Sequence, residues 1–344
     1  MTDKPLRLEL HQDPSDLMEL RDEWEDLLGR SATNTVFQTW EWNTLWWKHF
    51  GSSGGLFLIT ARTPDGRLAG IAPLMTSSEG DGPKRLGFLG GTDLSDYLDF
   101  IIRRGEEVPF FEAVADLITT HGELWDTLDL HCLPSDSPTL EHLVRICEKS
   151  GFPHTLVMED VCPRVELPSS WETFLAGMNR KNRHEIRRKS KKIRREAGEY
   201  RYLNSSAPFI LQDMESFIEL HKKSDPAKAV FMNQTREDFF REMASCLHRA
   251  GWLDISFLEA NGRRLAGLVT FKYGDSLYLY NSGYDKEFGH WSPGWVLISH
   301  SIEDAISKGV KTYDFLRGNE SYKYRFGARD YVIYRYTVYR REEH

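Results

Sequence analysis

The chain has 344 residues, 40% hydrophobic and 28% charged, which is ordinary globular composition at a length that suggests about two domains. A net charge of −8 argues against a general nucleic-acid binder, and no apolar run approaches the ~18 residues of a membrane span. The N-terminus lacks the apolar core of a signal peptide, and Cys132, Cys147, Cys162 and Cys246 are scattered without a Cys-x-x-Cys pair, so a reduced, cytoplasmic protein is expected.

In chain order, a short strand is expected around Leu6–Leu10. Asp13-Pro14 then caps a helix whose Leu17, Leu20, Trp24, Leu27 and Leu28 fall at helical spacing. Trp40–Phe50 reads as a second helix, dense in tryptophan, which spacing assigns to the core rather than to a substrate groove. Strands follow at Leu56–Ala61 and Leu68–Met75 across a Pro64-Asp65-Gly66 turn, and runs around Leu86–Leu89 and Tyr97–Ile102 complete a meander. Phe110–Thr120 reads as helix, Trp125–His131 as strand, Leu140–Lys149 as helix and His154–Met158 as strand. A boundary falls near Asp160–Ser170, where Pro163 and Pro168 interrupt the pattern. Beyond it come helices at Trp171–Met178, Ile210–Lys222 and Arg236–Ala250, with a very basic helix over about 179–196. A second meander runs Leu253–Glu259, Leu265–Tyr273 and Ser276–Tyr284, followed by a helix at Pro293–Lys308 and strands at Thr312–Leu316 and Tyr331–Tyr339.

The two halves resemble each other. Gly66-Arg-Leu-Ala-Gly-Ile-Ala-Pro-Leu74 matches Arg263-Arg-Leu-Ala-Gly-Leu-Val-Thr-Phe271, each on the second strand of a hairpin. Phe37-Gln-Thr and Phe231-Met-Asn hold comparable places before a helix, and the order of elements agrees, so duplication is expected. Residues 1–165 are expected to form a degenerate N-terminal copy and 166–344 the C-terminal copy with the site. The first copy shows nothing equivalent to the later constellation after its Trp125–His131 strand.

That constellation is Tyr313-Asp-Phe-Leu-Arg-Gly-Asn-Glu-Ser-Tyr-Lys-Tyr-Arg-Phe-Gly327. A short strand breaks at Gly318 into a segment rich in cations and phenols, at the strand end where ligands sit in open α/β sheets. The basic segment is the other half: Met178–Ala197 holds ten Lys and Arg residues against two glutamates. Ile186, Ser190, Ile193 and Ala197 form its apolar stripe, and the rest is a solvated basic face or a surface for an anionic substrate. Duplex-DNA recognition is not expected without a reading motif. His184-Glu-Ile-Arg-Arg188 lacks the second histidine of a zinc-protease motif, and neither a metal nor a covalent nucleophile is indicated.

The element order resembles the GNAT N-acyltransferase fold: α/β, tandem, each copy a mixed, largely antiparallel sheet flanked by helices. Tyr284-Asp285, Ser292-Pro-Gly294, Asp314-Phe-Leu-Arg-Gly and Tyr322-Lys-Tyr-Arg-Phe-Gly327 resemble the CelD-type acyltransferases of bacterial cellulose and exopolysaccharide loci, over roughly residues 165–335. These are related to the Fem ligases, which move amino acids from aminoacyl-tRNA onto peptidoglycan precursors. The resemblance implies an acetyl-CoA or other acyl-CoA donor, and an acceptor amine or hydroxyl on a sugar or cell-envelope precursor. The alternatives are a Fem-like transferase using aminoacyl-tRNA and a non-catalytic component of a polysaccharide synthesis complex.

By that resemblance, the helix opened by Ser292, Pro293 and Gly294, with Trp295, presents backbone N–H groups to the donor pyrophosphate. The family at large has Arg/Gln-x-x-Gly-x-Gly/Ala there, which leaves room for another phosphorylated donor. Asn281, Gly283 and Tyr284 end the strand that faces the acyl arm, with Gly283 permitting a bulge. Lys323 and Arg317 are candidates to stabilise an oxyanion or bind phosphate, and Tyr322 or Tyr324 to protonate a departing thiolate. Asp314 accepts the nucleophile's proton or pairs with Arg317, pairing being favoured. Arg183, Arg187 and Arg325 are expected to contact an anionic substrate.

Overall fold

The computed structural model describes residues 5–78 and 82–340, and divides the chain into Met1–Asp160 with Tyr331–His344 and, separately, Val161–Asp330.

The first unit runs β1 (Arg7–His11), α1 (Pro14–Glu19), α2 (Arg21–Leu28), α3 (Trp40–Phe50), β2 (Gly54–Arg62), β3 (Leu68–Ser77), β4 (Arg85–Phe88), β5 (Ile101–Ile102), α4 (Glu107–Thr120), β6 (Thr127–Pro134), α5 (Pro138–Ser150) and β7 (His154–Val161). Asp13 accepts the Ser15 N–H at the start of α1, as the Asp-Pro pair predicts. The helix expected to continue to Leu28 instead breaks at Leu20, where ψ is 1°, and restarts as α2. Thr39 caps α3 by accepting the Trp42 N–H, and Trp42 and Trp46 are buried, as the core reading of that helix requires. Tyr97–Ile102 yields only the two-residue β5. Buried Asp99 takes the Thr139 hydroxyl and also the Phe100 N–H, a local bond that competes with a strand ladder.

The second unit runs β8 (Arg164–Glu166), α6 (Trp171–Gly177), α7 (Arg180–Ala197), β9 (Tyr200–Asn204), α8 (Ile210–Ser224), α9 (Pro226–Phe231), α10 (Gln234–Arg249), β10 (Leu253–Ala260), β11 (Arg263–Tyr273), β12 (Ser276–Tyr284), α11 (Pro293–Ser307), β13 (Thr312–Asp314) and α12 (Ser321–Arg325). The sequence pattern does not foretell β8, β9, α9 or α12, all too short to show a period. Asn179 caps α7 by accepting the Asn182 N–H, and Ile186, Ile193 and Ala197 bury its apolar stripe against Trp295, Ile298 and their neighbours.

The chain's final strand, β14 (Val332–Tyr339), is expected to close the second copy; it lies in the first unit instead. It pairs antiparallel with β6, and Arg335 grips Asp129 of β6 through two bonds of 2.7 Å. The first sheet is ordered β1-β2-β3-β4-β6-β14-β7, with β5 on β3, and the second β8-β13-β12-β11-β10-β9. Both are mixed, with the parallel pairs β4–β6 and β12–β13 in corresponding places. The matched Leu-Ala-Gly motifs fall on β3 and β11, third from the β1 and β9 edges. There a Cβ on Gly70 would meet the Phe110 ring at 2.3 Å and one on Gly267 the Phe257 ring at 3.0 Å. The internal repeat therefore appears as one topology used twice.

Candidate active site

In the second unit, β12 and β13 run parallel over only Ser276–Tyr278 and Thr312–Asp314. β12 then continues to Tyr284 while β13 ends, so the two diverge. The Asp285 N–H donates to Leu265 O, which makes that opposed pair a hydrogen-bonded one. Alternation then turns the backbone groups of Ser282 and Tyr284 away from β11, onto the edge that β13 has left. A bulge is expected at Gly283. The register shift lies earlier, between the pairs Val269–Asn281 and Thr270–Leu279, which makes Tyr280 the extra residue. Gly283 serves another purpose: a Cβ there would stand 2.4 Å from the His221 backbone nitrogen, so glycine admits the close approach of α8.

Two residues that sequence reasoning missed sit at this edge. His221 is buried and bonds Asn281 Oδ1 through Nε2 at 3.0 Å, while its Nδ1 has no partner among the described residues. Burial and the nearby Lys228 charge push its pKa down to about 4, so the ring is neutral. Lys228 of α9 donates to Ser282 O at 2.6 Å. Burial pulls the Lys228 ammonium's pKa down, against the opposing charges of Glu320 and Asp225. His221 lies on an ordinary amphipathic helix and Lys228 on one too short to show a period, so only their place beside β12 marks them.

At the start of α11, Ser292 adopts the left-handed conformation (φ 55°, ψ 50°) and no side chain caps the helix. Pro293 has no N–H to satisfy, and nothing lies within 4 Å of a Cβ built on Gly294. Trp295 is 8% exposed, stacks on Phe326 at 4.5 Å, and leaves its Nε1 without a partner among the described residues. Lys189 Nζ lies 4.2 Å from the centre of its ring and the Arg325 guanidinium 6.0 Å. Lys192 donates to His290 O at 2.6 Å, so α7 brings cations to the positive end of α11. An open, uncapped and cation-flanked helix start is the arrangement that accepts a phosphate.

The stretch after β13 is tightly bound to itself. Asp314 is buried; its Oδ2 takes Arg164 Nε at 2.8 Å and its Oδ1 the Leu316 N–H at 2.8 Å, so its cationic partner on β8 is one that the sequence pattern does not match to it. Leu316 has φ 57° and Gly318 φ 107°, and the turn they make points three carbonyls at one ammonium. Lys323 Nζ donates to Leu316 O, Arg317 O and Gly318 O at 2.9, 2.8 and 2.9 Å, and meets Glu320 Oε2 at 2.9 Å. With only 2% of the residue exposed, Lys323 pins the turn. The half-buried Arg317 contributes its carbonyl to that cradle. Tyr324 donates to Asp330 Oδ1 at 2.7 Å, whereas the Tyr322 ring packs edge-on to Phe315 and burial, with the Glu320 charge, raises its pKa.

Of the remaining predicted residues, Tyr284 is exposed at the end of β12 and Arg187 on the outer face of α7. Arg183 donates to Leu175 O and Ala176 O at the end of α6, a capping task rather than an open one. The structure thus brings together Ser292, Gly294, Trp295 and Arg325, and separately Asn281 and Gly283. The first copy does hold an equivalent to part of the constellation: Thr127-Leu-Asp129 on β6 matches Thr312-Tyr-Asp314 on β13 in register, and each aspartate is buried against an arginine of the adjacent strand.

Residues 180–324 match the family model described as acetyltransferase (GNAT) domain. Among solved structures, FemX is similar over 96% of this chain and 96% of its own, with a TM-score of 0.67 at 12% identity. L-PGS from Bacillus licheniformis is similar over 93% of this chain and 91% of its own, with a TM-score of 0.53 at 12% identity. A tandem GNAT protein from the clavulanic acid biosynthesis pathway covers 98% of this chain and 100% of its own, with a TM-score of 0.52 at 11% identity. No curated protein sequence matched. The chain has a tandem GNAT fold and carries, at residues 180–324, a GNAT-type acetyltransferase domain, the domain of an acyltransferase.

Proposed function

We propose that the second unit moves an acyl group from acyl-CoA to an amine or hydroxyl of a sugar or cell-envelope precursor, as the CelD-type resemblance implies. The observation that carries this reading is the open start of α11 beside the free edge of β12. The Gly294 and Trp295 N–H groups, with Lys189 and Arg325, suit the donor's phosphates. The Ser282 and Tyr284 backbone groups suit its amide-bearing arm. Tyr322 is the better general acid of the two tyrosines: burial keeps its phenol protonated, while the Tyr324 hydroxyl is spent on Asp330. Lys323 and Asp314 shape the turn beside the site instead of entering the chemistry. The test is release of free thiol from acetyl-CoA in the presence of amino-sugar acceptors. Turnover falling about 100-fold in Tyr322→Phe is expected. Wild-type protein that leaves acetyl-CoA intact with every acceptor would overturn the reading.

One observation favours a second donor, aminoacyl-tRNA. Both glutamates of α7, Glu185 and Glu196, lie on one flank, where they pair with Arg188, Lys189, Lys192 and Arg195. Arg180, Arg187 and Lys191 share the other flank, exposed and with no acid of α7 beside them. Such a stripe suits a phosphodiester backbone. Charge reversal of Arg187 and Lys191 that abolished tRNA binding, in a protein inert toward acetyl-CoA, would select this donor.

A further inference from the structure

We propose that Lys228 grips the carbonyl of the acyl group being transferred, a role that rests on the acyl-CoA reading of the same edge. Four observations converge on it. The ammonium lies against Ser282 O, on the stretch of β12 that β13 leaves unpaired. Ser282 O takes one of the three ammonium protons, and the Lys228 ammonium makes no other hydrogen bond among the described residues. The Glu320 charge acts on the ammonium, and Glu320 is itself tied to Lys323, which fixes the turn. The neutral His221, bonded to Asn281, adds no competing positive charge beside it.

The chemistry needs a group of this kind. As the acceptor nitrogen or oxygen bonds to the carbonyl carbon, negative charge gathers on the carbonyl oxygen. The carbon–sulfur bond then breaks, the thiolate takes a proton from Tyr322, and the proton lost by the acceptor returns through solvent to the phenolate. A fixed cation in a partly desolvated gap stabilises the intermediate oxygen more than the ground-state carbonyl. Lys323, the cation that the sequence favoured, is held by three carbonyls and a carboxylate. Lys228 has the smaller commitment.

A structural role would look different: Lys228 would merely tie α9 to β12, and its loss would alter stability without regard to the donor's carbonyl. The test compares acetyl-CoA with S-ethyl-CoA, which lacks that oxygen, by calorimetric titration of the full chain. Wild-type protein should bind acetyl-CoA about three- to tenfold more tightly, the worth of one net hydrogen bond. In Lys228→Met the preference should vanish with S-ethyl-CoA binding unchanged; Lys228→Gln serves if the methionine variant does not fold. A preference that survives both substitutions would overturn the role of Lys228 and leave the donor site standing. Wild-type protein that binds neither compound would overturn the donor reading and this role together.

Discussion

The two units build the same strand pair and finish it in opposite ways. In each, a Thr-x-Asp strand follows a parallel pairing and its aspartate is held by an arginine from the next strand, Asp129 by Arg335 and Asp314 by Arg164. In the first unit the partner strand β4 stops at Phe88, and past Asp129 His131 bonds Glu159 at 2.6 Å while Glu159 also takes the Cys132 N–H. In the second, β12 continues for six residues past its last pairing with β13 and exposes a free edge. The helices differ likewise. α4 carries Glu107 in its first turn, whereas α11 has no acid in its first turn and an open Gly294. An acid at a helix start satisfies the dipole from within, and its absence leaves the dipole for a ligand.

This contrast can be broken by substitution. Gly283→Ala should cost about 3 kcal/mol, because the new Cβ meets helix backbone that cannot rotate aside. Gly70→Ala in the first unit meets a phenyl ring instead and should cost less; urea denaturation checks both, and equal costs would deny the distinction between backbone and side-chain contact. Lys323→Met strands three carbonyls and should cost about 2 kcal/mol. It should also raise amide exchange across Leu316–Gly318; unchanged exchange there would contradict the pinning role. Asp314→Asn should cost about 1.5 kcal/mol through its pairing with Arg164, and Asp129→Asn more than that, since Asp129 pairs with both Arg335 and His131.

In pH the units depart on opposite sides of neutrality. Burial alone would lower the pKa of His131, but bonds to Asp129 and Glu159 raise it to about 9, above its ordinary 6.5. Its stabilisation is therefore complete below pH 6.5 and is lost as pH rises through 9. His221 is pushed down to about 4 by burial, so it costs nothing above pH 6.5 and destabilises progressively as pH falls toward 4. Thermal midpoints should flatten on the alkaline side in His131→Gln and on the acid side in His221→Gln. The reverse pattern would contradict a charged His131 and a neutral His221.

Much of the fold was legible because period and caps dominate it. The Asp13-Pro14 start, the Thr39 cap and the buried stripe of α7 all follow from local spacing. The repeated Leu-Ala-Gly motif was legible too, since a glycine where sheet and core side chains crowd is a local demand. The destination of β14 was not, because alternation fits any sheet and only Arg335 meeting Asp129 fixes the choice. The uncapped start of α11 was legible at Ser292-Pro293-Gly294, where backbone chemistry sets it. The bonds of Lys323 were not, because whether a lysine faces a cleft or a turn depends on the left-handed Leu316 and Gly318. His221 and Lys228 carried no local mark at all.

The central claim is that the second unit receives a phosphorylated acyl donor at the start of α11. Calorimetric titration of the full chain with acetyl-CoA, beside Gly294→Asp, tests it most directly. The aspartate fits the open space and favours the helix dipole, so the fold should persist while the phosphate is repelled. Micromolar binding in the wild type, lost in a folded Gly294→Asp variant, is the predicted result. Absence of binding at millimolar acetyl-CoA, or equal binding by both proteins, would contradict it.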